Sequence, residues 1–346
     1  MPLTALLLAG LVIALSSCGD ADYRSRLIIF DPGDPGTAQV VVRDIASLEN
    51  PVWSPDGRWL AALGGTPEET AIVVIDPTTG SIVRRALRTL VPRGTSVTWS
   101  PDSKSLATVY LDPAKQRSAV VVVVDTTTWE EREVASFTSR SSVTAGSPEV
   151  AWSPDGSTIA VTAGVGLGSS DIAFVDPITG NVTGPIDLPG YQFALTWLND
   201  KTLGFGSVVD DGIAIQTLDS PSGRPATVAA DFNTFAVAAA SPDGTMIGVV
   251  SRIGTPSGLS LYRVATETWD VATLVPVVSS LVLAWSPDSM SIAVPMNREV
   301  AIVPADGAGE TRKVFKVGGK EEIRGLAWSP DRSQIAISVR QRPPSD

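Results

Sequence analysis

Short hydrophobic runs alternate with polar turns along the whole chain, and the runs recur in the same order. A run that ends in Trp is followed by a β-rich run such as Ser105 to Tyr110. The next run ends in a turn, as in "AIVVIDPTTG" at 71–80, and a further run such as 81–87 leads to the next unit. Runs of this length bounded by Gly, Pro and Asp predict β-strands, four in each unit.

Each unit contains a WSPD motif, first seen at Trp53-Ser54-Pro55-Asp56-Gly57. Degenerate copies included, the motifs start at 53, 99, 152, 197, 240, 285 and 328. Strand-rich units with periods of about 40–50 residues are typical of β-propellers. The sequence therefore predicts an all-β fold, a seven-bladed β-propeller of four-stranded antiparallel blades.

The last unit is too short to form a blade by itself. After Trp328 only "SQIAISV" precedes the predicted polar tail, residues 341–346, whereas the amino-terminal part has two spare strands, "RLIIFDPG" and "AQVVVRD". Pairing the first segment with the last removes the exposed edges of an open sheet. We therefore expect residues 26–44 to complete the seventh blade, within a single propeller domain that spans residues 26–340.

Ser-Pro-Asp-Gly fits a type I turn position by position, and its Asp can accept N–H groups within the turn. The alternative is a ring of carboxylates for a cation or a basic partner, but repeated equivalent copies favour a structural role, and no metal site is predicted. The Trp would fill the wedge between adjacent blades. The structural motif residues are Trp53, Asp56, Trp99, Asp102, Trp152, Asp155, Asp200, Asp243, Trp285, Asp288, Trp328 and Asp331.

The amino terminus indicates export. Residues 2–15 form an uncharged apolar run, too short to span a bilayer but suited to a secretory signal. Leu15-Ser16-Ser17-Cys18 resembles a bacterial lipobox, although residues 1–17 contain no Lys or Arg. The resemblance implies a lipoprotein signal peptide at 1–17, lipid attachment at Cys18 and a tether at 18–25. The alternative is an ordinary signal with a chance cysteine.

Composition excludes several kinds of chemistry. The chain of 346 residues has no His and one Cys, so a Ser-His-Asp triad, a His-ligated zinc site and an intrachain disulfide are impossible. The net charge of −11, with no Lys/Arg-rich run, argues against nucleic-acid binding. No cofactor is expected.

The WSPDG repeats, each followed by an apolar strand and an IDPxTG-type turn, resemble the TolB-like propellers, which also occur in tricorn and prolyl-oligopeptidase-type proteases. The resemblance covers about residues 26–340 and implies the fold. TolB adds a separate amino-terminal α/β domain, and the peptidases add an α/β-hydrolase domain. Because this chain predicts neither domain, only the binding half of these designs is expected.

The leading hypothesis is a lipid-anchored, extracytoplasmic propeller, at the cell surface or in the periplasm, that is not an enzyme. It would be a monomer that binds an envelope protein or peptide. One alternative is a sensor of a small molecule or glycan at the channel mouth, and another is a carboxylate-based lyase or glycosidase.

Binding residues are expected at the channel mouth, four residues before each motif. These positions hold a chemically mixed set, which differs between blades: Glu49, Thr95, Pro148, Phe193, Ala236, Leu281 and Arg324, with Glu149 and Gln192 adjacent. The candidates for binding are Glu49, Glu149, Gln192, Phe193 and Arg324. Clustered aromatic and amide groups there would favour sugar, and a broad apolar rim would favour protein.

Overall fold

The computed structural model describes residues 24–45, 47–65, 70–87, 96–112, 115, 118–138, 148–166, 169–209, 212–219, 223–232, 236–251, 258–275 and 282–341. The predicted signal peptide, Cys18, most of the predicted tether and residues 342–346 of the predicted tail lie outside these ranges. The described part of the chain contains no helix long and apolar enough to cross a membrane.

In the described ranges, twenty-eight strands form seven four-stranded antiparallel sheets, which confirms the predicted propeller. Six sheets take their strands in chain order. The first three of these are β3 (Leu48–Trp53), β4 (Leu60–Gly65), β5 (Thr70–Ile75) and β6 (Ile82–Leu87); β7 (Val97–Trp99), β8 (Ser105–Asp112), β9 (Ser118–Asp125) and β10 (Glu131–Phe137); and β11 (Val150–Trp152), β12 (Ile159–Gly166), β13 (Ser169–Val175) and β14 (Val182–Ile186).

The next three blades follow the same order. They are β15 (Tyr191–Trp197), β16 (Thr202–Val209), β17 (Gly212–Asp219) and β18 (Ala226–Phe232); β19 (Ala236–Ala240), β20 (Met246–Ser251), β21 (Gly258–Arg263) and β22 (Thr268–Val275); and β23 (Ala284–Trp285), β24 (Ser291–Met296), β25 (Glu299–Pro304) and β26 (Arg312–Lys316).

The seventh blade joins the two ends of the chain, as the sequence predicts. Its inner strands are β27 (Glu321–Trp328) and β28 (Ile335–Gln341), and its outer strands are β1 (Arg24–Asp31) and β2 (Asp34–Ile45). The β1–β28 ladder is continuous and antiparallel, from Arg24↔Gln341 to Phe30↔Ile335. The two ends of the chain thus close the ring within one sheet.

The hydrophobic core lies between the blades, because each sheet is covered on both faces by its neighbours. The third strands are therefore rich in buried apolar residues, and β9, "SAVVVVVD", is buried along all but its last residue. One cluster joins Ile72 and Val74 of the first blade to Leu106, Val120 and Val122 of the second. The outer strand β14, in contrast, is exposed along most of its length.

The propeller has two faces. On one face, here called the turn face, lie the connections between the first and second strands and between the third and fourth strands of every blade. On the other face, here called the mouth face, the inner strands begin. Arg24 and Gln341 pair at the mouth face, so β1 begins there.

Candidate functional site

The WSPD turns have one hydrogen-bonding pattern in six blades. In the first blade Ser54 Oγ donates to Asp56 Oδ1 at 2.6 Å and accepts from the Trp59 N–H at 3.0 Å. Asp56 Oδ1 also accepts from the Arg58 N–H at 3.1 Å. The same Ser-to-Asp bond, 2.6 Å long, occurs at Asp102, Asp155, Asp243, Asp288 and Asp331. These carboxylates therefore stabilise their own turns.

The hydrogen bonds keep several of these carboxylates ionised. Those donated by Ser100, Ser153 and Ser329 are the main cause that holds the pKa values of Asp102, Asp155 and Asp331 below the usual range. A general acid must instead hold a proton near neutral pH. The turn carboxylates are thus suited to capping and to carrying fixed negative charge.

The fourth blade requires a correction. Asp200 is predicted to be the equivalent of the other motif carboxylates, but Asn199 caps this turn, because its Oδ1 accepts from the N–H groups of Lys201 and Thr202, each at 2.9 Å. The turn is one residue shorter than the others: Trp197 pairs with Leu203, whereas Trp53 pairs with Leu60. The shorter turn moves the capping position back by one residue.

Contacts between neighbouring turns join them around the turn face. Ser103 Oγ accepts from the Asp56 N–H at 3.0 Å, and Ser289 Oγ accepts from the Asp243 N–H at 3.1 Å. Arg332 forms an ion pair of 2.9 Å with Asp288. Each contact links two consecutive blades, so three blade junctions are tied together at the turn face.

The motif tryptophans connect the inner strands of adjacent blades. The indole N–H groups of Trp53 and Trp99 donate to the carbonyls of Ala327 and Val52 in the preceding blades, at 3.3 and 3.1 Å. Trp197 and Trp285 make the same bond to Ala151 and Ala239, both at 3.0 Å. Trp152 and Trp328 donate instead to their own turns, at Gly156 and Arg332. These bonds supply hydrogen-bond donors to some of the unpaired backbone carbonyls of the inner edge strands.

Of the candidate mouth residues, the structure brings Glu49 and Arg324 together. Arg324 Nη2 lies 3.4 Å from Glu49 Oε1, across the junction of the seventh and first blades. The contact extends through Glu322, which lies 3.7 Å from Arg324 and 3.4 Å from Arg340. Pairs this exposed contribute about 0–1 kcal/mol each, so their main effect is to order this side of the mouth.

Glu149 lies on the other side of the ring, at the junction of the third and fourth blades. Its Oε2 accepts from the Leu195 N–H at 3.0 Å, next to a bulge between Phe193 and Thr196 in which Ala194 has φ of 54°. Burial raises the pKa of Glu149 to about 7, while hydrogen bonds from the Leu195 and Ala194 backbone lower it. Glu149 is the most strongly perturbed carboxyl among the described candidates for the mouth.

Replacing Glu149 with Gln is expected to change how stability depends on pH. The pKa of the carboxyl, raised from 4.5 to about 7, means that the folded protein keeps a proton that the unfolded chain has released. Stability from this group is therefore greatest below pH 4.5 and falls as pH rises to about 7. At about 1.4 kcal/mol per pKa unit, the loss is up to about 3 kcal/mol in the parent. Denaturant unfolding at both ends of this range measures the loss, which Glu149→Gln should abolish; equal pH profiles would contradict the assignment.

Gln192 and Phe193 do not face the mouth, which corrects their assignment as binding residues. Gln192 is fully buried, and its Nε2 donates to the Pro189 carbonyl at 2.9 Å and to Ser207 Oγ at 3.3 Å. The ring of Phe193 lies over Gly206, where an added Cβ would come within 2.4 Å of it. Gln192 thus joins the connection at 187–190 to the fourth blade, and Phe193 packs in the cluster between the fourth and fifth blades.

Sequence reasoning missed a further buried carboxyl at this junction. Asp171 is buried on β13, and its Oδ1 accepts from the Leu188 N–H at 3.3 Å. Burial is the main cause that raises the pKa of Asp171, and Asp187 raises it further. The only available signal was an Asp at the start of an apolar third strand. Among the described residues, no three Asp, Glu or Cys side chains are placed to hold one metal ion.

Comparisons with known proteins concern the fold. No protein-family model matches the sequence, and no curated protein matches it. The solved structure of TolB from Acinetobacter baumannii superposes with a TM-score of 0.53 at 18% identity, over 72% of this chain and 63% of that one, so this chain matches less than two thirds of that protein's length. A putative TolB from Agrobacterium tumefaciens gives a TM-score of 0.53 at 17% identity, over 93% and 99% of the two chains.

An oligogalacturonate lyase from Vibrio parahaemolyticus also superposes, with a TM-score of 0.64 at 14% identity over 94% of this chain and 99% of that one. Identities this low establish architecture alone, since one fold hosts many activities. The seven closed blades, the WSPD turns and these superpositions lead to one conclusion. The chain has a TolB-like seven-bladed β-propeller fold.

Proposed function

We propose that the protein is a lipid-anchored, extracytoplasmic propeller that binds another envelope protein or peptide and has no catalytic activity. The observation that carries this proposal is that the candidate reactive groups form hydrogen bonds and ion pairs within the protein. The motif carboxylates cap turns, Glu149 accepts backbone N–H groups, and Arg324 pairs with Glu49. The loops and exposed positions differ from blade to blade. Such variable surface suits recognition of a macromolecule.

Cross-linking in intact cells, followed by purification and mass spectrometry, tests this function. The expected result is a defined protein adduct that is retained when Glu149 is replaced by Gln. Failure to recover any protein adduct, together with binding of a small molecule or glycan in solution, would replace the proposal with the sensor alternative.

The anchor has a separate test. Cells that express the parent or the Cys18→Ala variant are labelled with a radioactive fatty acid. We expect label in the parent and none in the variant, because a thioether-linked lipid requires the thiol of Cys18. The variant should also be absent from the membrane fraction. Equal labelling of the two proteins would remove the lipoprotein assignment and leave the propeller's function open.

A second candidate function is cleavage of a carbohydrate by a lyase reaction. Two observations favour it: the pKa of Glu149 near 7, which suits a general base, and the superposition on the Vibrio oligogalacturonate lyase. The test is formation of unsaturated product from polygalacturonate by the purified protein. We expect no product; product formation that falls at least about 100-fold in Glu149→Gln would establish the enzyme instead.

A further inference from the structure

The third- to fourth-strand turns of the first three blades are structurally matched, so each serves as a comparison for the others. In each, an Asp Oδ1 accepts from the backbone N–H two residues later, at 2.8, 2.7 and 2.8 Å. The residues at this position, two after the Asp, are Thr78, Thr127 and Ile178. Because Thr occupies this position in two of the three matched turns, the turn geometry does not require an isoleucine in the third blade.

Ile178 is 82% exposed, the highest value among the exposed large hydrophobic residues of the described chain. Its turn is held from the neighbouring blade, because the guanidinium of Arg132 donates to the carbonyls of both Pro177 and Ile178. Gly180 of the same turn lies against the Val134 carbonyl, to which an added Cβ would approach within 2.7 Å. Ile178 is therefore presented on a fixed backbone, which lowers the entropy lost on binding.

The strand that follows continues this apolar surface. Val182, the first residue of β14, is 42% exposed. Each of the other outer strands contains at least one charged residue, whereas β14, "VTGPI", contains none. Charged side chains normally protect exposed edge strands from association. The corner of the third blade, defined by Ile178 and Val182, lacks this protection.

The other exposed large hydrophobic residues among those described, Ile82 and Met290, also lie on or beside the turn face. The same face is acidic. Its described connections contain five basic residues, Arg58, Lys104, Lys201, Arg224 and Arg332, against thirteen acidic ones: Asp56, Asp76, Asp102, Glu130, Asp155, Asp176, Asp200, Asp243, Glu267, Asp288, Asp306, Glu310 and Asp331.

The described connections of the mouth face have no such excess, with Glu149 and Asp187 against Lys115, Arg298 and Lys320. The pKa values of several acidic residues on the turn face lie below the usual range, Asp102, Asp155 and Asp176 among them. Hydrogen bonds from Thr78, for example, are the main cause that lowers the pKa of Asp76 to about 2. A positively charged partner surface complements this face, whereas a second copy of the same face would be repelled.

We propose that the corner formed by Ile178 and Val182 is the docking site for a partner protein whose contact surface combines apolar side chains with a positive charge. This inference rests on the proposed binding function and assigns it to the turn face instead of the mouth. β1 begins at the opposite face, at Arg24, so a membrane tether joined to that strand would leave this corner accessible.

Site-specific photo-cross-linking in the cells that naturally make the protein tests the site. The full chain carries p-benzoylphenylalanine at position 178, at position 78 in the matched turn of the first blade, or at position 298 on the mouth face. We expect a discrete protein adduct from position 178, whose cross-linked peptide is basic, and at least about fivefold less from the other positions. Equal adducts from positions 78 and 178 would overturn the assignment.

Two further variants, with the photoreactive residue at position 182, test the chemistry. Ile178→Thr, which introduces the residue of the matched turns, should reduce the adduct several-fold without changing the melting temperature. Glu130→Gln, in the turn that precedes Arg132 of the neighbouring blade, should also reduce it. An adduct insensitive to both changes would overturn the proposal. An adduct only from position 298 would overturn the site but keep the binding function, whereas no adduct here or in chemical cross-linking would overturn both.

Discussion

Removal of residues 22–45 is expected to abolish the cooperative unfolding transition of the protein. The deleted strands contain the buried residues Leu27, Ile28, Ile29 and Phe30, and β1 pairs with β28 along the whole length of β28. Burial of each such side chain contributes about 1.5–3 kcal/mol. The sum is comparable with the entire stability of an ordinary domain, about 5–15 kcal/mol.

Circular dichroism during heating and size-exclusion chromatography measure the effect. The control is a chain that lacks only residues 1–21, which keeps β1 and β2 and should unfold in one cooperative transition. A chain without residues 22–45 that melts at the same temperature as this control would show that the amino-terminal strands do not close the ring.

The second large effect is expected from Gly244→Ala. Gly244 and Gly57 occupy the same motif position with nearly the same backbone, at φ of 69° and 72°. An alanine Cβ at 244 would lie 1.9 Å from the Leu198 carbonyl oxygen, whereas at 57 its nearest neighbour, Pro330 Cδ, is 3.9 Å away. Because Leu198 is part of the fourth blade's turn, the clash forces the fourth and fifth blades apart.

We therefore expect Gly57→Ala to lower the free energy of unfolding by about 1 kcal/mol, the usual effect of a left-handed alanine. Gly244→Ala should lower it by at least about 3 kcal/mol, the upper end of the usual range for single substitutions. Urea unfolding of the two variants separates the backbone contribution from the steric one. Similar losses in both would show that the junction of the fourth and fifth blades adjusts without strain.

The architecture was predictable because each blade repeats the same local chemistry. The WSPD turn requires a left-handed residue after its Asp, and the structure places Gly57, Ser103, Gly156, Gly244, Ser289 and Arg332 in that conformation. A requirement that recurs at a regular interval is visible in a single sequence. Closure was predictable too, since the strands missing from the last unit are present at the start of the chain.

The mouth was less predictable because it depends on irregular pairing. Counting four residues back from each motif assumes regular inner strands, but bulges interrupt them between Glu49 and Val52 and between Phe193 and Thr196. An extra residue redirects the side chains that precede it. Phe193 therefore lies over the sheet, and no local sequence signal marks the bulge that places it there.

The pairing of Arg24 with Gln341 also sets an order of events for the growing chain. β1 is synthesised before β28 and cannot form this ladder until β28 is available, so the ring closes only after β28 has been made. Long-range pairing of this kind slows folding. In an exported chain, β1 would remain unpaired on the far side of the membrane until β28 had also crossed it, and a stable fold would appear only then.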